Sequence, residues 1–348
     1  MNYFIFFQEA ALLIKIVASI NRIRMYSKAL NLSFILALVV VILGAYTRLA
    51  DAGLGCPDWP GCYGQLLVPD VISAEYDRPL DIAKAWKEMI HRYAASILGL
   101  SIVVIFLLAI FKRPETLRSV KLPTALLLLV GFQGALGMWT VTELVHPGIV
   151  TMHLLGGFST TTLLFWLLLN ERKPLSLDQP ILSKHKIMLA IVTVLLVFQI
   201  FLGGWTSTNY AALSCGDYFP SCLGEMWPDD MDFKNAYYWG PLGIDYEFGV
   251  LENETRTAIQ MVHRVGALVV TAAIIAFSFA LRNYKALRKS VLTVLALLTI
   301  QVALGIINVV MSLPMFAATM HNVVGLALLL SLVNLAHKMF TKENAPQN

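Results

Sequence analysis

Long apolar runs separated by short polar segments dominate this chain. Stretches at about 31–50, 88–111, 122–141, 148–169, 187–206, 257–281, 289–311 and 315–339 are each apolar and long enough to cross a bilayer. A span in lipid must satisfy its own backbone hydrogen bonds, so the pattern predicts eight transmembrane helices and an all-α integral membrane protein. The polar segments alternate in character. Arg22, Arg24 and Lys28 precede the first span. Lys112, Arg113, Arg118 and Lys121 form a second basic tract, and Arg172, Lys173, Lys184 and Lys186 a third. Arg282, Lys285, Arg288 and Lys289 form a fourth, and Lys338 and Lys342 close the chain. All fall on one side, which the positive-inside rule makes cytoplasmic together with both termini. The other side receives two long loops, about 51–87 and 207–256, the second containing Asp229, Asp230 and Asp232.

Composition agrees with that layout. Of 348 residues, 57% are hydrophobic and 14% charged, with a mean hydropathy of +0.69, whereas soluble domains carry roughly 25% charged residues. A net charge of +4 is too small to argue for nucleic acid. The first 20 residues are apolar, but Glu9 and Lys15 interrupt them and no small-residue cleavage site follows. This argues against a signal peptide and leaves an interfacial helix or a translation start at Met25.

The spans form two related sets of four. Glu88-Met89-Ile90-His91-Arg92 returns as Gln260-Met261-Val262-His263-Arg264. Thr151-Met152-His153 returns as Thr319-Met320-His321, and Gln133-Gly134-Ala135-Leu136-Gly137 as Gln301-Val302-Ala303-Leu304-Gly305. Residues 31–170 and 187–340 are therefore expected to form two pseudo-symmetric four-helix bundles joined by a cytoplasmic linker, 171–186. Residues 1–30 form an N-terminal cytoplasmic segment and 341–348 a cytoplasmic tail. Four spans per half give both halves the same orientation, a parallel repeat about an axis along the membrane normal.

All four cysteines lie in the long loops, as Cys56 with Cys62 and Cys215 with Cys222. Their closeness in sequence and the oxidising outer side of a bacterial inner membrane predict two local disulfides. Metal binding is the weaker alternative, since the loops lack a nearby histidine and a CxxC spacing. A redox role for one pair stays open.

His91, His153, His263 and His321 fall near the outer ends of even-numbered spans, two per half, on different helices. Ionisable residues within spans are costly and point to function. Two imidazoles on facing helices suit haem iron, which takes axial ligands from opposite faces of a flat apolar ring inside a helix bundle. Another metal, or a proton-relay or structural role, remains the alternative. Arg92 and Arg264, each following a histidine, and Arg48 past the first span are candidates to pair with haem propionates; snorkelling to headgroups is the competing role. Gln133 and Gln301 read as interhelical hydrogen-bonding groups. His146, His185 and His337 read as ordinary polar positions. Within the shared motifs the copies differ chemically at Glu88, which is Gln260 in the second half. Glu88 lies three residues before His91, on the same helix face. A carboxylate there suits proton transfer or stabilisation of developing positive charge, against a plain helix-start role favoured by the dipole. A structural role would serve both halves equally, which favours chemistry in the first half alone.

With these residues assembled, the chain resembles the haem A synthase family over essentially everything after residue 30. The resemblance rests on eight spans in two halves, Glu88-x-x-His91-Arg92, His153, His263-Arg264, His321, and the loop segment from Thr47 to Cys62, TRLADAGLGCPDWPGC. It implies oxidation of a methyl group of haem O to the formyl group of haem A through hydroxymethyl intermediates. It implies haem b as a permanent cofactor on His263 and His321, haem O as substrate on His91 and His153, and Glu88 near the reacting edge. It places Cys56–Cys62 as the disulfide of the reactive half and Cys215–Cys222 as its counterpart. Membrane lipid, a haem O synthase upstream and a terminal cytochrome oxidase or its assembly factors are the implied partners, and a homo-oligomer stays open. A dihaem b electron-transfer protein and a haem carrier for a terminal oxidase are the rival readings.

Overall fold

A computed structural model of the chain describes residues 2–340 apart from 72–75, 77, 112–116, 118, 173–174 and 176–179; the side chains of 2–20 and 22 are also outside it. Of the expectations above, those on the side chains of Glu9, Lys15 and Arg22, on Lys112, Arg113, Arg118, Lys173 and Lys342, on part of the 171–186 linker and on the 341–348 tail lie outside the described residues.

Eight α-helices carry the fold among the described residues: α1 Asn2–Leu49, α2 Ile82–Phe111, α3 Lys121–Thr142, α4 Pro147–Asn170, α5 Ser183–Thr208, α6 Asn253–Ala280, α7 Arg288–Val310 and α8 Met315–Phe340. Each holds a segment long and apolar enough to cross a membrane. Several helices begin earlier than the apolar runs do. In α1, no Gly or Pro interrupts Asn21–Lys28, so the helix passes through this polar stretch without a break. The α2 helix starts at Ile82 rather than near residue 88, because Asp81 caps it by accepting from the Lys84 amide at 3.0 Å. His146 caps α4 in the same way, its Nδ1 accepting from Gly148 N at 3.2 Å, and Pro147 follows where no amide donor is needed.

Neighbours in sequence are neighbours in space. The α1, α2, α3 and α4 helices close one ring of contacts, and α5, α6, α7 and α8 close another. The rings share a wall in which α1, α4, α5 and α8 meet, so α2, α3, α6 and α7 are peripheral. The repeat extends to individual turns. Val145 N donates to Thr140 O at 2.8 Å where Leu313 N donates to Asn308 O at 2.8 Å. Residues 144, 145, 312 and 313 all have positive φ. Ala52 N donates to Thr47 O as Ala211 N does to Thr206 O. Each disulfide loop folds into the same tight bridge, Cys62 with Gln65 and Cys222 with Glu225. Tyr63-Gly64 and Leu223-Gly224 hold positive φ at its turn.

The apolar core is unevenly distributed along the bundles. Leu98, Ile102, Ile105 and Ala109 of α2 pack with Leu126, Leu164 and Leu167 in one half. Val270, Ile274 and Phe277 of α6 pack with Leu196, Val294 and Leu332 in the other. Both clusters lie past the histidines, toward the short-loop face. On the long-loop face the halves are joined by polar contacts instead. Arg78 pairs with Asp245 at 2.7 Å and with Glu247 at 2.6 Å. Tyr246 N donates to Leu144 O at 3.1 Å. Asp51 and Tyr210, equivalent positions in the repeat, bond to each other at 3.1 Å.

Candidate functional site

The four histidines share one level of the molecule. From His153 to the end of α4, and from His263 to the end of α6, the helix runs about 26 Å at 1.5 Å per residue. That approaches the thickness of a bilayer's hydrocarbon layer, so these imidazoles sit toward the long-loop ends of their helices. Each pair joins one peripheral and one central helix: His91 on α2 with His153 on α4, and His263 on α6 with His321 on α8.

The His91 and His153 rings have centroids 6.4 Å apart with planes at 85°. An iron taking one imidazole nitrogen from each side, with metal–nitrogen bonds of about 2 Å, separates ring centroids by about 6 Å. A glycine from the adjacent helix faces every one of the four rings. A Cβ on Gly44 would lie 2.9 Å from His91 Cε1, and one on Gly137 3.4 Å from His153 Cε1. On Gly203 and Gly305 it would lie 3.1 Å and 3.2 Å from the Cε1 atoms of His263 and His321. The Nδ1 atoms of His91, His153 and His321 are buried without a completed hydrogen bond. Among the described residues no three His, Cys, Asp or Glu side chains gather as an ion site. Paired imidazoles in glycine-lined slots match the two-axial-ligand demand of a haem better than the four-ligand demand of zinc. Replacing Gly44 by leucine should displace the His91 ring and, where this pair serves as a haem site, reduce the haem bound there to less than half of what the unmodified protein holds. Pyridine haemochrome assay of the purified variant reads that loss, and full occupancy would contradict the role given to the slot.

The four glycines are the part of the site that sequence reading passes over. Gly44 and Gly203 do stand three residues before Thr47 and Thr206, so the repeat itself was the available signal.

Glu88 is buried at 4% exposure, which requires compensation for a charged carboxylate. Its Oε2 accepts from the Cys56 amide at 2.9 Å, and its Oε1 pairs with Arg92 Nη2 at 2.5 Å. Arg92 Nη1 donates to the carbonyls of Asp58 at 2.9 Å and Gly61 at 2.6 Å. Carboxylate, guanidinium and disulfide loop thus form one assembly. Both disulfides are formed, Cys56–Cys62 and Cys215–Cys222, and all four sulfurs belong to fully buried residues. In the second half Gln260 is equally buried, but its Oε1 has no hydrogen-bond partner.

The three arginines expected to meet propionates are engaged with protein groups. Arg92 is held as described. Arg264 donates to Ser221 O at 2.8 Å and Tyr218 O at 3.2 Å, its Nε staying buried and unbonded. Arg48 donates to Ser207 O at 2.5 Å, pairs with Asp51 at 3.4 Å and lies 4.2 Å over the Tyr210 ring. Arg92 and Arg264 fasten the long loops to the bundle, and Arg48 ties the end of α1 to the end of α5. Nearby, burial pushes the Tyr63 hydroxyl above its usual pKa; Arg78 opposes this, and Asp58, Glu88 and Asp81 add to it. Burial likewise raises the Tyr210 hydroxyl, with Arg48 opposing.

His146 is fully buried, with its ring 5.4 Å from Trp239 and 5.0 Å from Tyr246, and it joins the α3–α4 turn to the long loop of the other half. His185 lies against the Tyr284 hydroxyl at 3.1 Å, and His337 against Asn170 at 3.1 Å, both at the short-loop end. None of the three stands in a matched pair.

Fold and site define a class: a multi-pass, internally duplicated helical membrane protein with a pair of facing histidines in each half. A sequence profile of the cytochrome oxidase assembly protein family matches residues 28–333. The "Heme A synthase" of Shewanella oneidensis is 41% identical over 91% of this chain and 97% of its own length. Proteins of the same name are 28% identical in Agrobacterium fabrum, over 86% of this chain and 85% of theirs, and 24% identical in Flavobacterium johnsoniae, over 88% and 95%. The chain belongs to the haem A synthase family.

Proposed function

We propose that this chain oxidises a methyl group of haem O to the formyl group of haem A through hydroxylated intermediates. The N-terminal half holds the substrate haem between His91 and His153, and the C-terminal half keeps a haem b between His263 and His321. The observation that carries this reading is the buried Glu88, which stands where the second half has the neutral Gln260. Held between His263 and His321, haem b would supply one-electron chemistry for the electrons that leave the substrate.

The protein's own groups do the rest. His91 and His153 fix the substrate's iron, so the apolar walls of the N-terminal bundle set which ring edge faces Glu88. Glu88 takes up a proton released from the methyl carbon, or balances positive charge developing there. Arg92 and the Cys56 amide hold both carboxylate oxygens in place, so little reorganisation accompanies reaction. The disulfide loop closes over the carboxylate and limits water. A farnesyl-bearing haem is lipophilic and enters from the membrane.

The long-loop face is the outer face of a bacterial inner membrane in this reading, and both termini are cytoplasmic. Support comes from the described basic residues at the short-loop end: Lys121, Arg172, Lys184, Lys186, Arg282, Lys285, Arg288, Lys289 and Lys338. A haem O synthase supplies the substrate, and a terminal oxidase or its assembly factors receive the product. Membranes containing the chain and supplied with haem O should yield haem A and hydroxylated haem on reversed-phase separation. Haem O returned unchanged in the presence of a competent electron acceptor would refute the proposal.

A further inference from the structure

Three of the four candidate ligand histidines are contacted by a glutamine from the adjacent helix. Gln133 of α3 donates to His153 O at 2.9 Å. The Gln301 amide nitrogen of α7 lies 3.2 Å from His321 Nε2. Gln199 of α5 holds His263 twice: its amide nitrogen donates to the His263 carbonyl at 3.0 Å and lies 3.0 Å from the ring Nδ1. His91 is the exception. Aligning the copies through Gly44 with Gly203 and Thr47 with Thr206 sets Val40 at the position of Gln199, and valine offers no side-chain donor.

The exchange involves both helices of the contact. Gln199 Oε1 packs onto Gly266 of α6, where an added Cβ would overlap it. Gly266 stands three residues after His263, and the residue three after His91 is Ala94. A polar Gln199–Gly266 pair in one half is therefore an apolar Val40–Ala94 pair in the other. An isolated Gln in a span would be unremarkable. A Gln seated on a glycine that makes room for it, with both changed together in the other copy, is a built contact.

We infer that this pair decides which half keeps its haem. The inference rests on the functional reading above, in which one haem is permanent and the other must leave. A histidine held by its main chain and its ring together cannot easily rotate or slide off a metal. A histidine without a side-chain hold on both its main chain and its ring can. Partners of ligating histidines typically change metal affinity 10–100-fold, enough to separate a resident from a passing haem. Gln199 acts here as a positioning residue and touches no reacting atom.

The test uses full-length protein purified with its haems, challenged with excess apomyoglobin as a haem scavenger, and followed by the two phases of haem release. Val40→Gln/Ala94→Gly should slow the fast phase, from the N-terminal half, about tenfold, and should hinder displacement of His91 from the iron by carbon monoxide. Gln199→Val/Gly266→Ala should speed the slow phase by a similar factor. The first variant gains retention, which a folding defect cannot mimic. Unchanged fast-phase release in a folded Val40→Gln/Ala94→Gly protein would overturn the inference. Haem identity separates the two claims. Rates that shift as expected on b-type haem alone support the retention pair and count against conversion. Unchanged rates with haem O and haem A both present do the opposite.

Discussion

Changing Glu88 to glutamine should lower haem O conversion at least about 100-fold, about 2.7 kcal/mol of transition-state stabilisation, while both haems stay bound. The substitution is close to isosteric and makes the first half match the second, where Gln260 is accommodated in an equally buried position. The new amide can still accept from the Cys56 N–H, so one of the two contacts survives. Arg92 keeps its bonds to the Asp58 and Gly61 carbonyls, so the disulfide loop should stay in place. What disappears is the negative charge and the capacity to take a proton. Reversed-phase quantification of product alongside total haem checks both halves of the expectation. Wild-type haem A output from the variant would remove Glu88 from the mechanism.

Replacing His263 by alanine should empty the C-terminal half of haem b and abolish turnover, and replacing His91 should spare haem b. The difference arises because the two pairs lie in separate rings of helices, His91 and His153 in one and His263 and His321 in the other. Neither substitution removes a residue from the apolar clusters below the histidines, which hold the bundles together. Optical spectra of the reduced proteins read the outcome directly. Loss of the b-type signal in the His91→Ala protein, with its retention in His263→Ala, would reverse the assignment of the halves.

The spans were legible because each needs its own run of about 20 apolar residues. Helix starts were less so. The polar first turn of α2 escapes a hydropathy reading, although Asp81 ahead of it is a recognisable cap. The cysteine pairs and the four histidines could be read directly, since short spacing and duplication are properties of the chain alone. Where the arginines point could not be read. An Arg beside a haem-ligand candidate suits a propionate and a loop carbonyl alike, and the folded loop adds the carbonyls that the chain alone does not name. The glycine slots and the Gln199–Gly266 contact are relations between helices far apart in sequence. Within an apolar helix, Val40 opposite Gln199 reads as one more lipid-compatible residue until the facing helix is in view.

The proposed function divides labour between two like halves, one keeping its haem and the other converting it. Reversed-phase separation of the haems extracted from the purified wild-type protein tests this most directly. One equivalent of haem b is expected, together with a second, mixed fraction of haem O, hydroxylated haem and haem A. Two equivalents of unmodified haem b, with neither haem O nor haem A, would contradict it.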